Sequence, residues 1–233
     1  MEAVGLIPDT PTHVRLKQEA RRSRRRYYPS TILYTGYCIG LLILGLRSRH
    51  PYEAVAFFVA GVVLWTPVEY LIHRYVLHGR FADGPGLVQH FLHKQFDPLH
   101  WEHHARPWDG NHISGTLKDT LIFSGSFVAI SFLFPFPEGP LLVAGFLQAS
   151  VVEEWIHHSV HFYRFNNRYF RYIRRHHLYH HSPKGMQVGF GLTNGFWDIV
   201  WDTRIPETDR RALYGKRSTA QSQSSDRHSP EPR

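Results

Sequence analysis

Hydrophobic positions along this chain fall into two pairs of runs, each pair joined by a short polar turn. The first run, Ser30 to Leu46 (STILYTGYCIGLLILGL), carries no charge. RSRHP at 47–51 follows, then a second run over 52–72 whose only acids are Glu53 and Glu69. At about 1.5 Å per helical residue, runs of this length approach the roughly 30 Å thickness of a bilayer's hydrocarbon layer. Two such helices joined by a tight turn make a hairpin that returns the chain to its starting side. The pattern then repeats: 119–134 is apolar, PFPEGP at 135–140 is a turn, and 141–152 is apolar again. This second pair is shorter and suits tilted or re-entrant helices. The longer runs lack the polar stripe of a helix on the surface of a soluble bundle, so spans are predicted in preference to core helices. The expected fold is an all-α membrane protein with about four transmembrane helices in two hairpins. A polar, basic lead-in occupies 1–29, the membrane-embedded unit 30–205, and a polar tail, too poor in apolar residues to be expected to fold, 206–233.

Charge orients this picture. The formal net charge is +8, and Arg21, Arg22, Arg24, Arg25 and Arg26 crowd together just before the first run. Under the rule that positive flanks stay inside, this end is cytosolic, and four crossings bring the ends of both hairpins back to the cytosol. No nucleic-acid recognition motif accompanies the arginines, so a nucleic-acid partner is not expected. The single cysteine, Cys38, excludes thiolate metal sites and an intrachain disulfide. The polar N-terminus has no signal-peptide apolar region.

Histidine changes the picture most. Of 18 histidines, all except His13, His50 and His228 lie between His73 and His181. They form four clusters: His73 and His78; His100, His103 and His104; Glu153, His157, His158 and His161; and His176, His177, His180 and His181. Helical positions three and four apart share a face. His100, His103 and His104 are therefore expected to project together, as are His177, His180 and His181, each triplet able to hold one metal. Glu153 and His157 are four apart, and so are His157 and His161. Imidazole suits iron, zinc, copper and nickel, and burying this many imidazoles without metal is costly. Two clusters follow each hairpin, enough for two metals in a histidine-rich helical cap on the cytosolic face. Isolated histidines such as His13, His50 and His112 are ordinary polar residues. His90 and His93 precede a proline-containing stretch expected to be a loop. Glu102, Asp109 and Asp198 are candidates for orienting imidazole N–H groups. Trp101, Trp108, Trp155, Tyr179, Trp197 and Trp201 fit anchoring at the headgroup level. A membrane transporter of zinc or manganese is the rival class, but its ligands would sit within the spans rather than at their ends.

At these clusters the chain resembles the fatty acid hydroxylase/sterol desaturase superfamily, most nearly its fatty acid 2-hydroxylase branch. EYLIHRYVLH (69–78) is similar to the first histidine box and HWEHHARPWD (100–109) to the second. WIHHS (155–159) and RRHHLYHH (174–181) stand where the third and fourth belong, and VGFGLTNGFWDIVWDT (188–203) resembles the ending. The likeness runs from about 60 to 205. It implies a hydroxylase-like catalytic domain holding two iron ions, for which zinc can substitute on purification, with dioxygen as co-substrate. The ligands it implies are His73, His78, His100, His103, His104, His157, His177, His180 and His181. The tenth position falls at Glu153, where the family has a histidine, with His158 and His161 as alternatives. After Asp109, GNHISGTL replaces the branch's usual Arg-Leu-Val and paired prolines. The resemblance implies hydroxylation of a lipid acyl chain, as in sphingolipids, with a sterol or carotenoid oxidase or desaturase as the competing member. No fused heme domain is expected, so electrons would come from a separate donor such as a b-type cytochrome or a ferredoxin. The expected location is the endoplasmic reticulum of a eukaryote or the inner membrane of a bacterium.

Overall fold

The computed structural model describes residues 13–214, with backbone alone at 97–99. Residues 1–12 of the lead-in, and 215–233 of the tail expected to remain unfolded, lie outside the described residues. Helix is the only regular structure among those described. Helix α1 spans His13–Leu46 and α2 spans Pro51–Leu71, running directly into a π-helical segment, Ile72–Leu77. Then come α3 (Leu87–Ala105), α4 (Leu117–Ser131), α5 (Glu138–Phe162), α6 (Arg168–His180), α7 (Phe196–Val200) and α8 (Glu207–Tyr214).

Both expected hairpins are present, α1–α2 and α4–α5, with turns where the polar breaks fall. Three boundaries differ. The basic lead-in is not separate from the first run, because α1 passes through Pro29 and carries the arginines in the same helix. The loop expected after His93 is helical, part of α3. The tail begins as α8, which is tied down where the chain returns to α6. The Tyr179 hydroxyl donates to Asp209 at 2.6 Å, Arg175 donates to the Leu213 carbonyl at 2.8 Å, and Tyr172 packs on Tyr214.

Helix α5 is the axis of the molecule, packed against α1, α2, α4 and α6. Leu41, Ala54, Leu141 and Ala144 close one end of the hairpins, and Tyr27, Tyr34, Leu147 and Val151 fill the middle. The backbones of α2 and α5 touch through paired glycines. A Cβ on Gly61 would lie 1.9 Å from the Leu142 carbonyl oxygen, and one on Gly145 2.0 Å from that of Phe58. Small residues permit such approach between helices in lipid. Gly145→Val is therefore expected to cost more than about 3 kcal/mol by forcing α2 and α5 apart. Gly36→Ala, where nothing lies within 4 Å, is the control. Thermal stability of the detergent-solubilised protein checks this, and equal midpoints for the two variants would refute it.

Two helical stretches, His13–Leu46 and Pro51–Leu77, are long and apolar enough to cross a membrane. Only 28% and 17% of their most apolar windows are buried, the opposite of soluble core helices. Ile32, Ile39 and Ile43 on α1, Val55, Val59 and Val63 on α2, and Ile122, Phe127 and Ile130 on α4 face outward. A continuous apolar exterior of this kind is a surface for lipid.

Candidate metal centre

Ten histidines converge where the C-terminal ends of the π-helical segment, α3, α5 and α6 meet. They form two groups: His73, His78, His100, His104 and His180, and His103, His157, His161, His177 and His181. Within each group one nitrogen from every residue lies within 4.8 Å of all the others.

Helix geometry explains the division. Successive residues turn by about 100°, so positions i and i+4 lie about 40° apart, whereas i+3 and i+4 differ by about 100°. His100 and His104 accordingly face one group and His103 the other. His177 and His181 face the second group and His180 the first. Each triplet, expected to serve one metal, is split two to one. The pair His73 and His78 is five apart, a spacing that an α-helix would splay. The π-helical segment, closed by the bond from His78 N to His73 O at 3.0 Å, brings i and i+5 onto one face.

In the third cluster the structure brings His161, one of the alternatives to Glu153, together with His157 in the second group, and Glu153 is in neither group. Both are four residues from His157 and share its face, but Glu153 lies about 6 Å back along α5, toward its N-terminus. Its carboxyl lines the cavity described below. His158 points elsewhere and pairs with the Ser23 hydroxyl of α1 at 2.9 Å.

The nitrogens within a group cannot satisfy one another. In the second group, Nε2 atoms approach in a chain: His103–His157 at 3.0 Å, His157–His161 at 3.2 Å, His161–His177 at 2.8 Å and His177–His181 at 3.0 Å. A neutral imidazole nitrogen holds either one proton or one lone pair, so no arrangement makes all four contacts good hydrogen bonds. In the first group, Nε2 of His73, His100 and His104 has no protein partner. Five lone pairs aimed at one point fit a cation. Imidazole nitrogens at about 2.0–2.1 Å from a metal stand up to about 4 Å apart, close to the spread seen. Metal binding also requires neutral imidazole. Burial, reinforced by neighbouring imidazoles, pushes His104 down to about 2 and His100, His103, His177 and His181 well below the usual value. Burial likewise holds His180 down, at about 4.

Two of the ring tautomers, those of His73 and His180, are set by one loop. His73 Nδ1–H donates to the Phe190 carbonyl, and His180 Nδ1–H to the Val188 carbonyl at 2.8 Å, leaving both Nε2 lone pairs facing inward. Gly189, at φ +70°, lets these neighbouring carbonyls serve two rings. Two buried carboxylates hold the loop. Asp198 accepts from Phe190 N at 2.8 Å, Gly191 N at 3.1 Å, the Thr203 hydroxyl at 2.8 Å and His176 Nε2 at 3.1 Å. Glu69 accepts from Leu192 N, Thr193 N and the Thr193 hydroxyl, each at 2.8 Å. Asp198 thus positions imidazoles through backbone rather than by touching the ten. Glu102 and Asp109 touch none of the ten: Glu102 pairs with Arg106 at 3.0 Å, and Asp109 accepts from Asn111 N at 2.9 Å and stands 3.2 Å from Nδ1 of His112, an imidazole outside both groups. His90 and His93 bond to Asp83 and the Phe81 carbonyl, outside both groups.

A cavity of about 430 Å³ opens onto this centre. His73, His100, His103 and His157 form one wall, and Trp65, Phe96, Phe127, Phe146 and Leu147 extend it between the helices. A polar cleft lined by Arg26, Lys94 and Asn111 shares Gln95, His112 and Asp119 with it.

Residues 58–203, most of the chain including all four histidine clusters, match the family model described as fatty acid hydroxylase. The chain belongs to the fatty acid hydroxylase family. It is 30% identical over 155 residues to the fatty acid 2-hydroxylase of Mus musculus, covering 66% of this chain and 40% of that protein. It is 29% identical over 157 residues to dihydroceramide fatty acyl 2-hydroxylase FAH1 of Arabidopsis thaliana, covering 67% and 63%. The chain thus spans less than half the length of the first of these relatives. Its fold is similar to the hydroxylase domain visible in a structure of full-length scs7p, with a TM-score of 0.68 at 22% identity over 86% of this chain and 81% of that one.

Proposed function

We propose that this protein is a membrane lipid hydroxylase in which the ten clustered histidines hold two irons and an acyl chain is oxidised at C2. One observation carries the reading: an apolar cavity ends on the histidines of both groups. The printed names of the relatives, fatty acid and dihydroceramide fatty acyl 2-hydroxylases, support the acyl substrate. Bound in the two groups, the irons would activate dioxygen, so that one oxygen atom enters a C–H bond and the other leaves as water. Two electrons and two protons come from outside, through a separate donor such as a b-type cytochrome or ferredoxin.

The protein's own residues do the positioning. Val188 and Phe190 hold His180 and His73 in one tautomer, and the aromatic walls align the chain and exclude water. The adjoining polar cleft keeps a headgroup near the surface while its chain reaches the histidines. Orientation follows from α1. Its Ser23, amid the arginines, contacts His158 beside the metal groups, so the positive-inside rule puts the centre on the cytosolic face. Four crossings by α1, α2, α4 and α5 fit this arrangement, in the endoplasmic reticulum or a bacterial inner membrane.

Metal analysis of the detergent-purified protein, paired with lipid mass spectrometry of cells with and without the gene, tests the reading. Two transition-metal ions per chain and loss of 2-hydroxyacyl lipids on deletion are expected. Fewer than about one metal per chain, or an unchanged lipid profile, would sink it.

A further inference from the structure

The proposed chemistry leaves two neighbouring carboxyl groups in the cavity unused, Glu153 and Glu154, and Glu153 is the one nearer full burial. Glu153 lies on α5 one turn before His157, is 5% exposed, and lines the cavity beside His73, His100, His103 and His157. The other two carboxylates buried in this region have full sets of donors: Glu69 accepts three hydrogen bonds and Asp198 four. Glu153 makes none among the described residues. A carboxyl without a protein partner is costly to keep at such a site, and a leucine here would avoid that cost while continuing the apolar wall formed with Leu147 and Phe146. Nor does Glu153 complete a metal group, since each already has five imidazoles. Its natural partner is therefore a polar atom that enters with the ligand.

Resting on the hydroxylase reading, we propose that Glu153 hydrogen-bonds the carbonyl oxygen of the bound acyl group and so determines which carbon meets the metal centre. With no cation beside it among the described residues, the carboxyl serves in its protonated form, whose O–H donates to a carbonyl. C2 is bonded directly to the carbonyl carbon. Anchoring that oxygen one helical turn from His157 restricts C2 to the histidine wall and leaves the rest of the chain to the aromatic part of the cavity. A hydrocarbon chain alone offers no such register, because its methylene groups are equivalent to apolar walls. The inferred ligand class is an acyl amide or fatty acid, in contrast to a sterol or carotenoid, which has no carbonyl beside its reacting carbon.

The test compares wild type, Glu153→Gln and Glu153→Leu, purified in detergent with metal content measured. Competition between palmitamide and hexadecane reads the anchor without requiring turnover. Wild type should prefer the amide at least tenfold, Glu153→Leu should lose that preference with metal content intact, and Glu153→Gln, which keeps an N–H donor, should retain it. With an electron donor added, hydroxyl position by mass spectrometry should shift from C2 to a spread along the chain in Glu153→Leu. Wild-type preference in Glu153→Leu, or loss of metal from it, overturns the proposal while leaving the hydroxylase reading standing. A metal-replete wild type that hydroxylates no acyl chain removes the hydroxylase reading itself, and this inference with it.

Discussion

His161→Ala should lower metal content from two ions per chain to about one and reduce hydroxylation by more than about 100-fold. That loss exceeds the 10–100-fold that follows when only an outer partner of a ligand is removed. His161 Nε2 sits between His157 Nε2 at 3.2 Å and His177 Nε2 at 2.8 Å, so its removal takes the middle of the second group. The first group shares no residue with the second and keeps its ion. Two neighbours make the comparison sharp. His158→Ala, whose ring faces Ser23, should keep both ions. Glu153→Gln should also keep both, because Glu153 lines the cavity and belongs to neither group. Elemental analysis of the three variants decides the assignment. Full metal content in His161→Ala, or loss of an ion from Glu153→Gln, would restore Glu153 as a ligand.

That assignment marks the limit of what residue spacing reveals. The hairpins were legible because an apolar run broken by RSRHP or PFPEGP has few alternatives. The clusters were legible because imidazoles four apart share a helical face. Spacing could not choose between Glu153 and His161, since both lie four residues from His157. The choice depends on height along α5 where α6 crosses, a tertiary fact. Nor could it show that His73 and His78 converge, because five-residue spacing fails in an α-helix and succeeds only in the π-helical segment. The orienting carboxylates were partly hidden for a similar reason. Asp198, Glu102 and Asp109 look alike in sequence, yet Glu102 has Arg106 one turn away to satisfy it. Glu69 carried an overlooked signal: an acid at the end of an apolar run needs a buried partner, here the amides of Leu192 and Thr193. Helix α8 was missed because its own residues are polar and its stability comes from α6.

Asp198→Ala should weaken the ion of the first group by about 10–100-fold while sparing the second. The carboxylate receives four donors, two of them the amides of Phe190 and Gly191. Removing it strands those groups in a buried site, at about 1–3 kcal/mol for each donor left unsatisfied. The loop they belong to supplies the carbonyls that fix His73 and His180, both in the first group, whereas no second-group ring bonds to it among the described residues. A loosened loop lets both rings rotate or exchange tautomers, and two of five ligands lose their aim at once. Glu69→Gln should act in the same direction but less strongly, because the amide oxygen of glutamine can still accept from Leu192 and Thr193. Since both carboxylates hold one loop, their effects should combine non-additively, and the double variant should lose less than the sum. Chelator competition on the purified proteins measures the two affinities separately. An Asp198→Ala protein with both affinities within about twofold of wild type would show that the loop is held in place without its carboxylate, against the 10–100-fold expected for an orienting partner.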